Sequence, residues 1–160
     1  MTPSADVLVR RARPADAAAL KAILRDTFES TWRPNISARA AQAYVDEDRP
    51  SAYVARCGLA FWVAEREGQL VGLAHRQDDF VHALHVRAGH ARRGVGARLM
   101  DQVEAEIVRA GFAAARLETD SFNTASQAFY AARGYREAGR YPDEEWNSGL
   151  TTIQLVKALA

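Results

Sequence analysis

Cysteine is nearly absent from this sequence. Cys57 stands alone among 160 residues, so no internal disulfide can form and no Cys/His spacing builds a structural zinc site. A lone free cysteine usually behaves as a small, inert, buried side chain. An excess of one charge is missing too. Twenty-one Lys and Arg face 20 Asp and Glu, for a net charge of +1. Nucleic-acid-binding domains carry a marked basic excess, so no nucleic-acid partner is expected. No apolar run is long enough to span a bilayer, and Met1–Asp6 lacks the basic and apolar regions of a signal peptide. The expectation is a cytoplasmic protein with no membrane partner. Repeats, low-complexity tracts and interdomain linkers are also lacking, and the length suits one domain over residues 1–160.

What is present is ordinary globular composition, 48% hydrophobic and 26% charged, which excludes disordered and collagen-like chains. Val7–Arg11 alternates as a half-buried strand does. Arg13-Pro14-Ala15-Asp16 reads as a helix start, because proline suits the first turn and an early Asp the positive helix end. Leu20, Ile23, Leu24 and Phe28 then supply a buried helical face. Thr31–Ser37 reads as a loop, Ser37 as the cap of a second helix to Glu47, and Asp48-Arg49-Pro50-Ser51 as its break. Phe61–Arg66 and Leu70–His75 flank Glu67-Gly68-Gln69 as a hairpin, and Phe80–Val86 is a third strand. Val95, Leu99, Val103 and Ile107 mark a long helix that Gly94 opens and Gly111 ends. Ala114–Thr119, Tyr135–Tyr141 and Thr151–Val156 are later strands, with a short helix over Asn123–Arg133. The mixed order gives an α/β (α+β) fold around one central sheet.

The turn between Val86 and Ala97 holds Gly89, Gly94 and Gly96. Glycine lets backbone approach a ligand, and the free N–H groups of a helix start favour phosphate. Arg92 and Arg93 add positive charge, within a cluster with Arg87 and Arg98. A nucleotide P-loop would continue from Gly94 with Lys and Ser or Thr, but Val95 and Gly96 follow. A dinucleotide fingerprint needs glycine where Leu99 stands. A tight turn with no ligand stays open on these residues alone.

Ala91-Arg92-Arg93-Gly94-Val95-Gly96 resembles the Arg/Gln-x-x-Gly-x-Gly/Ala turn of the GNAT superfamily of N-acetyltransferases, with Ala91 where Arg or Gln is usual. Asn123-Thr-Ala-Ser126-Gln-Ala-Phe129-Tyr130-Ala-Ala-Arg133-Gly134-Tyr135 is similar to the family's second segment. The opening Val9–Asp16 and the ending Ile153–Leu159 match its first strand and helix start and its last strand, so the resemblance covers nearly the whole chain.

The resemblance implies a mostly antiparallel sheet, flanked by helices, whose strands Phe80–Val86 and Ala114–Thr119 are parallel and splay apart. The co-substrate implied is acetyl-CoA, bound by Leu84 and Val86 on the first of those strands, by Arg92, Arg93, Gly94, Val95, Gly96 and Ala97 at the turn, and by Asn123, Ser126 and Tyr130. Pantetheine would lie in the gap like an added strand, and a backbone N–H would polarise the thioester carbonyl.

Tyr130 is implied as the general acid, since a phenol stays protonated at pH 7. His82 is the expected base, because imidazole titrates near neutrality. Alternation places it on one face with Leu84 and Val86 and gives His85 the opposite parity. Phe80 occupies a site where the family often has a base, which leaves Glu118, Asp79 or a water chain as alternatives. Asn123 is expected to contact pantetheine, to cap its helix, or to do both; Arg133 either reaches phosphate or lies exposed at a helix end.

The acceptor, a small-molecule or peptide amine, would sit near the first helices, the hairpin and the Pro142–Gly149 loop. Trp32, Tyr44, Trp62, Tyr141 and Trp146 lie there as aromatics able to clasp it, with Asp143, Glu144 and Glu145 able to attract its charge. A homodimer is the expected assembly, as in many members of the family. The rival reading is a CoA-binding sensor or interaction domain without catalysis.

Overall fold

The computed structural model describes residues 7–91, 93–143 and 148–159. Seven strands form one sheet in the order β1-β2-β3-β4-β5-β7-β6. They are β1 (Leu8–Arg11), β2 (Trp62–Arg66), β3 (Gln69–Gln77), β4 (Phe80–Val86), β5 (Ala114–Asp120), β6 (Arg136–Pro142) and β7 (Thr151–Ala158). Every neighbouring pair is antiparallel except β4 and β5. That parallel pair is joined only at Phe80–Arg116 and Val81–Leu117. Beyond those residues the two strands part, as the mostly antiparallel sheet with a splayed pair predicts.

The helices are α1 (Ala17–Thr27), α2 (Ala38–Asp46), α3 (Arg49–Cys57), α4 (Val95–Arg109) and α5 (Thr124–Ala132). Alternation in the strands divides the core between the two faces of the sheet. Ala64, Ala74, Leu117 and Ile153 pack with Leu99, Met100, Val103 and Ile107 of α4 and Tyr130 of α5. Val63, Leu73 and Ala83 face the other way, onto Leu20, Ile23 and Leu24 of α1 and Val54 of α3.

Three local readings need correction. Ser37 caps α2 as expected, its Oγ accepting from the Ala40 N–H at 3.1 Å. The break after α2 is real, but it is only Asp48, at φ +45°, and Arg49-Pro50 opens a further helix. Proline costs nothing in a first turn, where its missing N–H has no helical partner. Thr31–Ser37 is also less of a loop than expected: α1 runs on through a π-helical turn (Phe28–Trp32) and a 3-10 turn (Arg33–Asn35).

The third correction bears on the site. His75 pairs with Ala83, and the next residue of β3, Arg76, pairs with Val81. His82 is thus the extra residue of a β-bulge, and a bulge resets the alternation of its strand.

Candidate active site

The site grows out of the parting of β4 and β5. Beyond Val81 the edge of β4 that faces β5 pairs with no strand among the described residues. Leu84 and Val86 turn their side chains toward the α4 core and are partly buried there.

The strand then runs into the glycine turn. Gly94 sits at φ +81° as the N-cap of α4, with open space where a Cβ would be. It offers no side chain to cap the helix, and the first intrahelical bond is Arg98 N–H to Gly94 O at 3.1 Å. The N–H groups of Val95, Gly96 and Ala97 therefore precede the helical ladder. A Cβ on Gly96 would come to 3.4 Å from Phe129 and 3.7 Å from Val86, so α4, α5 and β4 approach closely at this glycine.

The turn and its flanks are also rich in arginine. Among the described residues Arg87 Nε is buried without a partner, and Arg87, Arg93 and Arg98 make no salt bridge. Arg92 lies outside the described residues. An anion at this helix start would take the N–H groups of Val95, Gly96 and Ala97, so the turn fits a pyrophosphate.

Opposite the turn, Asn123 caps α5: its Oδ1 accepts from the Ser126 N–H at 3.0 Å. Ser126 Oγ lies 2.8 Å from Thr119 Oγ1 of β5. Tyr130 is buried against Phe129 and Tyr135, edge-on to both. Burial pushes its phenol well above the usual range, and among the described residues the hydroxyl forms no hydrogen bond. Arg133 is neither exposed nor free for phosphate. It bridges Glu104 and Asp101 of α4 at 3.2 and 2.9 Å.

His82 departs from the alternation expected of it, whereas His85 keeps the parity opposite to Leu84 and Val86. The bulge places His82 not with Leu84 and Val86 but beside Phe80 and His75, with ring centroids at 4.7 and 5.4 Å. It is exposed, and it lines an open hollow of about 300 Å³ with Phe80, Asp79 and Arg116. His75 behind it is buried, its Nδ1 2.7 Å from the Tyr53 hydroxyl. Burial and the nearby His82 lower its pKa to about 4, so it stays neutral.

His85 points toward α1. Its Nδ1 lies 2.8 Å from Thr27 Oγ1 and its ring 5.5 Å from that of Trp32. Burial lowers it also to about 4.

Of the carboxylates, Asp79 is doubly bonded to Arg116 at 2.9 Å, and that guanidinium holds it below the usual range. Glu118 accepts from the Tyr141 hydroxyl at 2.5 Å, and burial and Glu118 together push that phenol up to about 12.

Asp120 is one the sequence reading passed over. It accepts from the Trp32 indole N–H at 2.7 Å, and burial raises its pKa against that bond. Arg116, Glu118 and Asp120 alternate with Ala115, Leu117 and Thr119, of which the latter three are buried. That period-2 polarity was present in the sequence as a signal for a second, polar face.

The expected aromatics divide. Trp32 and Tyr141 border this polar face of β5. Tyr44 instead stacks on Phe28 at 3.6 Å, where burial pushes its hydroxyl up to about 12. Trp62 faces α4, its N–H donated to Glu106 at 2.7 Å. Trp146, Glu144 and Glu145 lie outside the described residues. No helix among the described residues is long and apolar enough to cross a membrane.

The model of the Acetyltransferase (GNAT) family matches residues 18–135 of this chain. N-acetyltransferase family 8 member 3 of Rattus norvegicus is 28% identical over 104 residues, which are 59% of this chain. The match spans less than half the length of that relative, 46%. A GCN5-related N-acetyltransferase from Rhodopseudomonas palustris superposes with a TM-score of 0.81 at 23% identity, covering 99% of both chains. PaiA N-acetyltransferase from Thermoplasma acidophilum, solved with coenzyme A, gives 0.77 at 16% identity, over 96% of this chain and 99% of that one. At these identities the superpositions speak for the fold.

Proposed function

From the premise that this chain belongs to the Acetyltransferase (GNAT) family, we propose that residues 1–160 are one catalytic domain moving the acetyl group of acetyl-CoA to a primary amine. One observation carries the reading. The unpaired edge of β4 runs into the glycine turn that opens the uncapped start of α4. A slot for an extended amide chain thus ends at an anion site, and coenzyme A joins those two chemistries in one molecule. The coenzyme A held by the PaiA structure supports the choice.

In this reading the N–H groups of Val95, Gly96 and Ala97, with Arg87, Arg92 and Arg93, hold the pyrophosphate. Leu84 and Val86 bond the pantetheine amides through their backbone, and Asn123 and Ser126 border the slot. Acetyl-CoA supplies the activated thioester. His82, exposed at the bulge, takes the proton that the amine nitrogen loses as it bonds to the acetyl carbon. Tyr130 gives its hydroxyl proton to the departing sulfur, and its raised pKa keeps that proton in place until then. The acceptor is a small-molecule or peptide amine on the α1 side of the gap. The same reading has a cytoplasmic homodimer, and no nucleic-acid partner, the last supported by the near-neutral charge.

Calorimetric titration with acetyl-CoA tests the proposal, with dephospho-CoA and ATP as controls and Gly96→Glu as the variant. Saturable binding to the wild type, lost in a variant that keeps its melting temperature, is the expected result. Absence of binding at physiological acetyl-CoA concentration would overturn it.

A further inference from the structure

His85 has no task in the scheme above, yet its surroundings are built in detail. The Thr27 hydroxyl has one proton, and two carbonyls of its own helix, Ile23 O and Leu24 O, lie 3.2 Å from it. That is the usual back-bond of a helical threonine. Thr27 Oγ1 lies 2.8 Å from His85 Nδ1, and a hydroxyl whose proton is held by that back-bond would meet the ring as an acceptor. The imidazole then carries its hydrogen on Nδ1 and presents a bare lone pair on Nε2. Among the described residues Nε2 makes no hydrogen bond, and it is not a sealed, unsatisfied atom. Burial keeps the ring uncharged at neutral pH.

The place matters as much as the tautomer. His85 pairs with Leu73 of β3 on one side, and no β5 residue pairs with it on the other. Across the gap Trp32 touches the His85 ring and fastens its own N–H to Asp120 of β5. The α1 side of the gap is thus walled by His85, Trp32 and Asp120.

We infer that His85 Nε2 accepts a hydrogen bond from an N–H of the acceptor amine, with Thr27 setting the tautomer that leaves that lone pair free. The inference rests on the amine-acetyltransferase reading. It makes His85 a determinant of acceptor specificity: the pocket favours molecules that donate an N–H there. A molecule that covers this nitrogen from water without donating to it leaves the acceptor unpaired and binds less well.

Two substitutions separate this role from a packing role. His85→Asn keeps a polar group at the Nδ1 position, against Thr27, and removes the one at Nε2. His85→Gln does the reverse. Phenylethylamine, spermidine and a peptide with a free amino terminus serve as acceptors at saturating acetyl-CoA. The expected result is a kcat/KM for the amine reduced roughly tenfold or more in His85→Asn, the size of one lost hydrogen bond. The KM for acetyl-CoA stays unchanged, and His85→Gln recovers part of the loss. Nitrogen NMR of labelled histidine reads the tautomer directly: hydrogen on Nδ1 in the wild type, lost from that position in Thr27→Val.

Wild-type kinetics in His85→Asn, or hydrogen on Nε2 in the wild type, would overturn the role of His85 and leave the acetyltransferase reading standing. Binding of acetyl-CoA with none of the three amines bound or acetylated overturns the amine reading itself, and the inference with it.

Discussion

Tyr130 shows how one side chain holds two positions in the argument. It is a core aromatic, 7% exposed between Phe129 and Tyr135, and the proposed proton donor. Tyr130→Phe removes only the oxygen, so the packing term is nearly conserved. We expect kcat to fall at least tenfold while acetyl-CoA binds with the same affinity, measured by steady-state kinetics beside calorimetry; an unchanged kcat excludes Tyr130 as the acid. Tyr130, Asn123 and Gly94 could be picked out in the sequence because each acts within a short local motif. His85 and Asp120 could not. Their partners Thr27 and Trp32 lie 58 and 88 residues away in the chain, and only folding brings such separations to hydrogen-bond distance. The bulge at His82 also defeated alternation, which presumes an unbroken ladder.

At the scale of elements, the seating of α4 on the sheet depends on one missing side chain. A Cβ on Gly72 of β3 would meet His85 O, Leu99 Cδ1 and Val95 Cγ1, each at 3.0 Å. The carbonyl is fixed by the β3–β4 ladder, and Leu99 and Val95 are fully buried, so none of the three yields easily. Gly72→Ala should push the start of α4 away from the sheet and cost about 1–3 kcal/mol in urea unfolding, typical of overpacking. Val95 belongs to the proposed pyrophosphate turn, so acetyl-CoA affinity should fall too; wild-type stability would show that the helix tilts freely. The sequence announced α4 through its four-residue apolar spacing and its bounding glycines. It announced α3 poorly, because Arg49-Pro50 reads equally well as a break and as a first turn. What decides is whether Val54 finds a core to enter, and it does, beside Leu20 and Phe61.

The whole molecule faces a mechanical difficulty that no single element displays. The sheet is nearly two sheets, joined at the splay by two residue pairs, and the width of the gap between them must be held for the slot to exist. Helix α4 spans the join, and two buried carboxylates on it reach opposite halves. Glu106 takes Trp62 Nε1 of β2 at 2.7 Å and Arg11 of β1 at 2.9 Å. Glu104 takes Lys157 of β7 at 2.7 Å, the Tyr135 hydroxyl at 3.0 Å and Arg133 of α5 at 3.2 Å. The resemblance led us to expect a splay. Nothing in the pattern of α4 said that two glutamates on its buried side clamp it, since buried acids break the apolar stripe that makes a helix readable. Removing Glu104 leaves the Tyr135 hydroxyl and the part-buried Arg133 and Lys157 without their acceptor, and removing Glu106 does the same to the Trp62 N–H, while the half-exposed Arg11 turns to water. Glu104→Ala should cost roughly 3 kcal/mol, as a broken, largely buried ion pair does, and Glu106→Ala about 1–2 kcal/mol, chiefly for the Trp62 N–H left without its acceptor, since Arg11 is half exposed. If α4 sets the gap, each should also weaken acetyl-CoA binding, although neither residue belongs to the proposed site. Chemical unfolding and calorimetry on the same samples decide the matter. Parallel losses of stability and affinity in both variants support a clamp, whereas lost stability with unchanged affinity in either would mean that the strands hold their separation without it.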